Sequence, residues 1–205
     1  INYDGDDIYK AIEKIGQTPL PPYIKRPTEK SDREDYQTLF AETDGSVAAP
    51  TAGLHFTSDL IKKVKKKGIK IVSVTLHIGL GTFRPVEVED LTKHKMDSEY
   101  YEISAHSAEM INKAMHAKHN IFVVGTSACR ALETSTTADG FVKQGRGWTD
   151  KFIYPPYVFK VTQKLITNFH VPESTLLMLT SAFGETDFVM KAYKKALKDK
   201  YSFLS

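Results

Sequence analysis

Cysteine, tryptophan and long apolar runs are what this sequence has least of. Its 205 residues include one cysteine, Cys129, and one tryptophan. A single cysteine excludes an intrachain disulfide and a thiolate cluster for zinc, and it fits a reducing compartment. Every apolar run is interrupted well short of the 18 or so residues that a membrane-spanning helix needs, and no signal-peptide pattern opens the chain. These absences predict a cytoplasmic protein without a membrane span.

The sequence also lacks a large net charge of either sign. The 28 Lys and Arg residues against 25 Asp and Glu residues leave a net charge of +3, which neither predicts nor excludes a nucleic-acid partner. Hydrophobic residues at 41% and charged residues at 26% are ordinary values for a globular domain. The length is sufficient for one substantial core.

Helical and strand patterns alternate along most of the chain. Thr57 and Ser104 are predicted helix caps, and Ser174 or Glu173 is expected to begin a further helix. Short apolar strands are expected before Gly125 and before Asn168. This alternation predicts an α/β fold with a mixed, largely parallel sheet flanked by helices. In such sheets ligands bind beyond the carboxyl ends of the strands.

Histidines follow small-residue loops or strand ends at three places. His55 ends "GSVAAPTAGLHF", and His170 follows the strand in "KLITNFHVPESTLL". In a strand over 69–78, alternation places His77 on the same face as Ser73 and Thr75. All three histidines are therefore expected to face one cleft, although a single histidine is more often a structural residue than a catalytic one.

The other short motifs give mixed indications. Gly125, Thr126 and Ser127 form a predicted strand-to-helix turn whose free N–H groups suit an anionic or polar ligand group. The "GLGTF" loop lacks the third glycine of a dinucleotide fingerprint, and no histidine pair has the spacing of a zinc helix, so no metal site is predicted. A metal-dependent hydrolase that uses the three histidines remains the alternative. Cys129 is predicted to be a small buried hydrophobe, and the lysine run at 62–70 a solvated helix face.

Taken together, seven strings resemble one family, in order and in spacing, from about residue 17 to the end. They are "PLPPYIKR", "DYQTLFAETDGSVAAPTAGLHFT", "VTLHIGLGTFRPV", "HKMDSEYYEIS", "VVGTSACRALE", "GRGWTDKFIYPPYVFK" and "LITNFHVPESTLLMLTSAF". The family is the S-adenosylmethionine:tRNA ribosyltransferase-isomerases of queuosine synthesis.

The resemblance implies a reaction and a domain plan. The ribosyl part of S-adenosylmethionine would move onto 7-aminomethyl-7-deazaguanine at the wobble position of a tRNA, giving epoxyqueuosine and releasing adenine and methionine. S-adenosylmethionine is then a substrate, and no cofactor is expected. Residues 1–16 would be the remnant of a small β-barrel domain and residues 17–205 the α/β catalytic domain, with the family's N-terminal part and C-terminal tail missing. The alternative is an inactive tRNA-binding fragment or module of this family.

The resemblance also implies roles for particular residues. A sulfonium acidifies the adjacent C5′ hydrogens, so a base of near-neutral pKa is needed, and His55, His77 and His170 are the unranked candidates. The residues expected to bind S-adenosylmethionine are Gly125, Thr126, Ser127, Asn168, Phe56, Phe83 and Asp150. Phosphate contacts with tRNA are expected from Lys25, Arg26, Arg84 and Arg146. The chain is expected to be a monomer.

Overall fold

The computed structural model describes residues 7–79, 81 and 85–204. The strands are Thr75–His77 (β1), Glu99–Ile103 (β2), Phe122–Val124 (β3), Gly145–Thr149 (β4) and Lys164–Ile166 (β5). The α-helices are Ile8–Ile15 (α1), Asp32–Asp35 (α2), Ser58–Lys66 (α3), Ala105–His116 (α4), Thr126–Ser135 (α5), Thr175–Gly184 (α6) and Thr186–Lys198 (α7). Short 3₁₀-helices cover Thr51–His55 and Leu91–Lys93. The chain thus has a mixed α/β fold.

The described strands form two separate sheets. One has three strands in the order β1-β2-β4, all antiparallel, with His77 opposite Tyr100 and Tyr100 opposite Trp148. The other consists of β3 and β5, which are parallel, with Val123 opposite Leu165. The larger sheet supports one side of the core, and the parallel pair leads directly into the loops of the candidate site.

The prediction of a largely parallel sheet is therefore wrong for the larger, three-stranded sheet. A parallel pair requires a long crossover, usually an α-helix, whereas an antiparallel pair does not. The described residues of the connection between β1 and β2 contain no α-helix, and these strands pair antiparallel. The strand expected over 69–78 is also shorter, since β1 covers only Thr75–His77.

Helix starts follow the predicted capping residues. The hydroxyl oxygens of Thr57, Ser104 and Ser174 accept hydrogen bonds from the backbone N–H groups of Leu60, Ser107 and Leu177, at 3.2, 3.1 and 3.2 Å. Each bond satisfies an N–H group that has no partner within its helix. The three predicted helix starts are therefore confirmed.

The hydrophobic core lies between the larger sheet and helices α4, α5 and α6. Ile103, Val142, Ile153 and Val161 are almost fully buried in it. Cys129 is completely buried, and burial raises the pKa of its thiol to about 12. The predicted structural role of this cysteine is confirmed.

A buried carboxylate fixes the segment that precedes β5. Glu133 in α5 is 1% exposed, and its oxygens accept hydrogen bonds from the backbone N–H groups of Lys160, Val161 and Thr162 at 3.0 to 3.2 Å. The Thr162 hydroxyl donates a further bond at 2.9 Å. Such a carboxylate is well satisfied, and it ties α5 to the strand that carries the Asn168 loop.

Candidate functional site

A turn between β3 and α5 forms one wall of the candidate site. Gly125 has a φ of +90°, a conformation that side chains other than glycine rarely adopt. Its N–H donates to the carbonyl of Ile166 at 2.9 Å, which joins the ends of the two parallel strands. Thr126 and Ser127 begin α5 immediately after this turn. The predicted strand-to-helix turn is therefore confirmed.

A cavity of about 410 Å³ opens in front of this turn. Its volume falls in the range of about 300–1,000 Å³ that is usual for small-molecule sites. The wall is built by the turn itself, the loop 48–52, the loop 167–172, the start of α6 and the segment 151–153. The cavity therefore lies at the carboxyl ends of the parallel strands β3 and β5, where ligand sites were expected.

The small residues of "GSVAAPTAGLHF" serve two contacts. Ala48 and Ala52 line the cavity. Gly45 packs against the ring of His77, where a Cβ atom would lie 2.7 Å from the imidazole, and its φ of +140° also favours glycine. The side chains of this segment are small because some of them border the cavity and Gly45 borders a histidine ring.

His170 lies in the cavity wall and is 8% exposed. Its Nε2 lies 3.0 Å from the hydroxyl oxygen of Thr167, and its backbone N–H donates to the Tyr193 hydroxyl at 2.9 Å. Burial lowers the pKa of His170 to about 4. The ring is therefore neutral at physiological pH.

Asn168 connects the cavity to His55. Its amide nitrogen lies 3.2 Å from Nε2 of His55, and its amide oxygen accepts a bond from the Thr51 hydroxyl at 3.2 Å. An amide nitrogen can only donate, so Nε2 accepts and the neutral His55 ring carries its proton on Nδ1. Asn168 and Thr51 line the cavity, while His55 is exposed beside it.

His77 is placed differently from the other two histidines. Its ring stacks on Tyr100 with 5.4 Å between the ring centroids, and it is not among the residues that line the cavity. The next residue, Ile78, does line it. Ile78 thus faces the cavity, while the ring of His77 lies against Tyr100 on the other face of the sheet.

The predicted S-adenosylmethionine-binding residues fall into two groups. Gly125, Thr126, Ser127 and Asn168 line the cavity together. Phe56 does not line it and instead packs edge-on against Phe40 at 6.0 Å. Asp150 is exposed, and Phe83 lies outside the described residues. The cavity therefore brings together four of the seven predicted residues.

The residues predicted to contact tRNA are not clustered. Arg26 forms two hydrogen bonds with Asp32, at 2.8 and 2.6 Å, and the guanidinium holds the pKa of that carboxyl at about 2. Lys25 and Arg146 are exposed, while Arg84 lies outside the described residues. Arg26 is thus engaged with an acidic partner, whereas Lys25 and Arg146 are exposed to solvent.

Two charged residues of the cavity wall were missed by the sequence analysis. Glu99 and Arg130 form an ion pair there, with side chains 3% and 8% exposed. Glu99 also accepts a hydrogen bond from the N–H of Gly79 at 3.0 Å. Burial lowers the pKa of Arg130 to about 10, which still leaves it charged at neutral pH. One signal was available, because Arg130 follows Thr126 at the i, i+4 spacing that shares a helix face.

Two kinds of feature are absent from the described part of the chain. No helix there is long and apolar enough to cross a membrane. No group of three or more His, Cys, Asp or Glu residues lies together as metal ligands would, within residues 7–79, 81 and 85–204.

The structure is that of a mixed α/β protein with a cavity of a size usual for small-molecule sites, and comparison with known proteins identifies its family. The family model described as "Queuosine biosynthesis protein" matches residues 1–205. An S-adenosylmethionine:tRNA ribosyltransferase-isomerase from Chloroherpeton thalassium is 60% identical over 97% of this chain, and one from Cytophaga hutchinsonii is 55% identical over 99%. The chain belongs to the queuosine biosynthesis protein family.

A solved structure and the lengths of the relatives complete the comparison. The crystal structure of an S-adenosylmethionine tRNA ribosyltransferase from Thermotoga maritima is 40% identical and superposes with a TM-score of 0.61, covering 75% of this chain and 48% of that one. The chain spans 58% and 59% of the length of the two curated relatives. The activity of a whole relative therefore does not transfer to this chain by similarity alone.

Proposed function

We propose that this protein is a tRNA-modifying transferase-isomerase. It moves the ribosyl moiety of S-adenosylmethionine onto 7-aminomethyl-7-deazaguanine at the tRNA wobble position, which yields epoxyqueuosine and releases adenine and methionine. The observation that carries this proposal is the 60% identity, over 97% of the chain, to a relative that bears the name of this activity. S-adenosylmethionine is consumed as a substrate, and the reaction needs no further cofactor.

The 410 Å³ cavity is the proposed site for S-adenosylmethionine. The N-terminus of α5 at Thr126 and Ser127 offers backbone N–H groups to a carboxylate or to ribose hydroxyls. Arg130, charged and in the same wall, adds the electrostatic attraction that a carboxylate needs away from water. Glu99 balances that charge and suits the α-amino group of the methionine part. Phe56, Phe83 and Asp150 remain predicted contacts of the sulfonium.

The reaction needs a base to remove a C5′ proton, and the three histidines remain the candidates. His55 and His170 flank Asn168 at the cavity, one exposed and one buried. Burial lowers the pKa of His170 to about 4, so the ring is neutral at physiological pH. A neutral ring can accept a proton directly, because it does not have to be deprotonated first. His77 would act only if its ring left Tyr100.

The remaining features of the proposal follow from the family. Residues 17–205 form the α/β catalytic domain, and residues 1–16, which include the exposed helix α1, are the remnant of the β-barrel domain. The protein acts as a monomer in the cytoplasm, on a tRNA with a queuosine-type wobble precursor. Lys25, Arg26, Arg84 and Arg146 contact its phosphates.

The length of the chain favours a second candidate function. The chain spans 58% of the Chloroherpeton relative, and the second candidate is an inactive tRNA-binding module, for which the pocket is complete only in a chain of the relative's full length. The two functions are separated by incubating the 205-residue chain with S-adenosylmethionine and substrate tRNA, beside a full-length relative. Adenine release by both chains supports the enzyme, whereas release only by the full-length chain together with tRNA binding by both supports the module.

A further inference from the structure

The outward face of the three-stranded sheet carries three aromatic side chains, His77, Tyr100 and Trp148, here called the aromatic ladder. Strand register places His77 opposite Tyr100 and Tyr100 opposite Trp148, so that each strand contributes one ring. The first two rings stack at 5.4 Å, and Tyr100 meets Trp148 in a T-shaped contact at 5.8 Å. Because side chains alternate between the faces of a strand, the neighbouring Glu99 and Thr149 lie on the buried face.

The ladder ends in an exposed indole. Trp148 is 70% exposed, although large aromatic side chains are usually well buried. A T-shaped contact occupies at most one face of the indole, so the other face is open to a planar partner. Exposed aromatic rings on a sheet are the surfaces on which proteins stack the unpaired bases of single-stranded RNA.

The ladder and the cavity share one end of the sheet. Two neighbours of ladder residues line the cavity. They are Ile78, which directly follows His77, and Glu99, which directly precedes Tyr100. The segment 151–153, just beyond the end of β4, lines it as well. A nucleotide chain that brings one base to the mouth of the cavity would therefore have its neighbouring bases near the ladder.

Basic side chains on and next to β4 lie beside the ladder, where they could contact an RNA phosphate backbone. Arg146 lies on the same face as Trp148, two residues earlier in β4, and is exposed. Lys143 is exposed just before that strand. The acidic residue of this face, Glu102, lies opposite Arg146 in the strand register and accepts a hydrogen bond from the Tyr100 hydroxyl at 3.3 Å. The open indole therefore has basic neighbours on its own strand.

We propose that the aromatic ladder stacks unpaired nucleotides of an RNA loop, with Arg146 contacting their phosphates. The identity of that RNA as a tRNA anticodon loop rests on the proposed function, in which the target base must be turned out of its stack. The flanking bases then lie on Trp148 and Tyr100 while the target base reaches the mouth of the cavity that holds S-adenosylmethionine.

The single tryptophan makes this proposal directly measurable. Trp148 is the only tryptophan of the chain, so intrinsic tryptophan fluorescence reports on the ladder alone. The purified chain is titrated with a short synthetic RNA hairpin that has an unpaired loop, and in parallel with a blunt RNA duplex of matched length. Stacking predicts saturable quenching by the hairpin and much weaker quenching by the duplex.

Substitutions then test the contribution of each ring, with a dye-labelled hairpin as the reporter. Tyr100→Ala and Trp148→Leu should each lower affinity about 5- to 100-fold, the usual effect of removing a base-stacking ring. Arg146→Gln, at an exposed position, should weaken binding and reduce its salt dependence by about one ion. Phe188→Ala is the matched control, because Phe188 is 68% exposed on α7; it should bind as the unaltered chain does.

The outcomes separate the ladder from the proposed function. Absence of quenching at every hairpin concentration, or equal quenching by the duplex, overturns the ladder proposal. Concentration-dependent dimerisation that shifts the tryptophan emission without RNA assigns the face to a second copy and also overturns it. Adenine release without quenching supports the proposed enzyme activity and rejects the ladder proposal. Quenching without adenine release supports the ladder proposal and rejects the enzyme activity of this chain.

Discussion

Glu99 and Arg130 form a buried ion pair in the wall of the cavity, with one partner on β2 and the other on α5. Taking two charges out of water is costly, and their attraction offsets that cost only while both are present. The pair therefore joins the larger sheet to the helix whose N-terminus faces the cavity. It places a positive and a negative group where a zwitterionic ligand would find both.

Removal of either partner should destabilise the protein strongly. Glu99→Gln or Arg130→Met should each cost about 3–5 kcal/mol of unfolding free energy, because one charge stays buried without its partner. The double variant should lose less than the sum. The exposed pair Glu109–Lys113 supplies the control, since Glu109→Gln should cost at most about 1 kcal/mol. Urea denaturation measures all four, and strictly additive losses would show that the buried pair is not coupled.

Gly125→Ala tests the turn in front of the cavity. An added Cβ would lie 3.4 Å from the Ser127 hydroxyl and 3.9 Å from Ala52, so there is space for it, but the φ of +90° is strained for alanine. The expected cost is about 1–3 kcal/mol, together with weaker S-adenosylmethionine binding by calorimetry, because the start of α5 must shift.

Gly147→Ala is the control for that change. Its Cβ would make ordinary contact with the Tyr101 ring at 3.6 Å, and Gly147 has no positive φ. This variant should remain close to the unaltered chain in stability and in binding. Equal behaviour of the two alanine variants would contradict the importance of the Gly125 conformation.

His170 should make the protein sensitive to acid. Burial lowers its pKa from 6.5 to about 4, so between these values the unfolded chain binds a proton that the folded chain does not. Stability conferred by the neutral ring is fully present above pH 6.5 and falls as the pH drops towards 4, by on the order of 3 kcal/mol.

His170→Gln removes this titration and keeps a polar group near the Thr167 hydroxyl. The stability of the unaltered chain relative to the variant should therefore fall by on the order of 3 kcal/mol between pH 7 and pH 4. Thermal and urea unfolding across that range measure the difference. Parallel stability curves would show that His170 titrates normally in the folded protein.

Local features of this fold could be predicted from the sequence, and long-range ones could not. The caps at Thr57, Ser104 and Ser174 and the turn at Gly125 each depend on a few adjacent residues. The direction of the larger sheet depends on β2 pairing with β4 across α4, β3 and α5. Alternation of helices and strands carries no information about that pairing, so the parallel prediction failed for these strands.

The same limit applies to the site. Asn168, His170 and the Gly125 turn were predicted because each follows a strand, and strand ends of an α/β fold converge on ligands. The ion pair of Glu99 with Arg130 was missed because its partners are distant in the sequence and meet only through tertiary packing. The stacking of His77 on Tyr100 follows from strand register, which alternation along one strand cannot supply.

Asn168→Asp tests whether the hydrogen bond from Asn168 keeps the His55 ring in the tautomer that catalysis needs. In the unaltered chain the amide nitrogen donates to Nε2 at 3.2 Å, so the proton of the neutral ring is on Nδ1. A carboxylate can only accept, and it would therefore draw the ring proton to Nε2 and reverse the tautomer. If Nε2 of His55 is the base, it must exchange the Asn168 N–H for the C5′ hydrogen of the substrate, and a protonated Nε2 cannot accept that proton. Adenine release should then fall about 100-fold or more, the usual contribution of a positioned base, while unfolding changes little.

His55→Ala, His77→Ala and His170→Ala, assayed beside Asn168→Asp, decide which ring the effect passes through. Loss of adenine release by Asn168→Asp and His55→Ala alone, at normal stability, assigns the base to His55 and leaves His77 to the ladder. His170→Ala should chiefly lower stability, because the ring is 8% exposed and fills the cavity wall. If Asn168→Asp and His55→Ala both release adenine at the normal rate, the bond between these residues has no part in catalysis, and the base must be sought at His170 or His77.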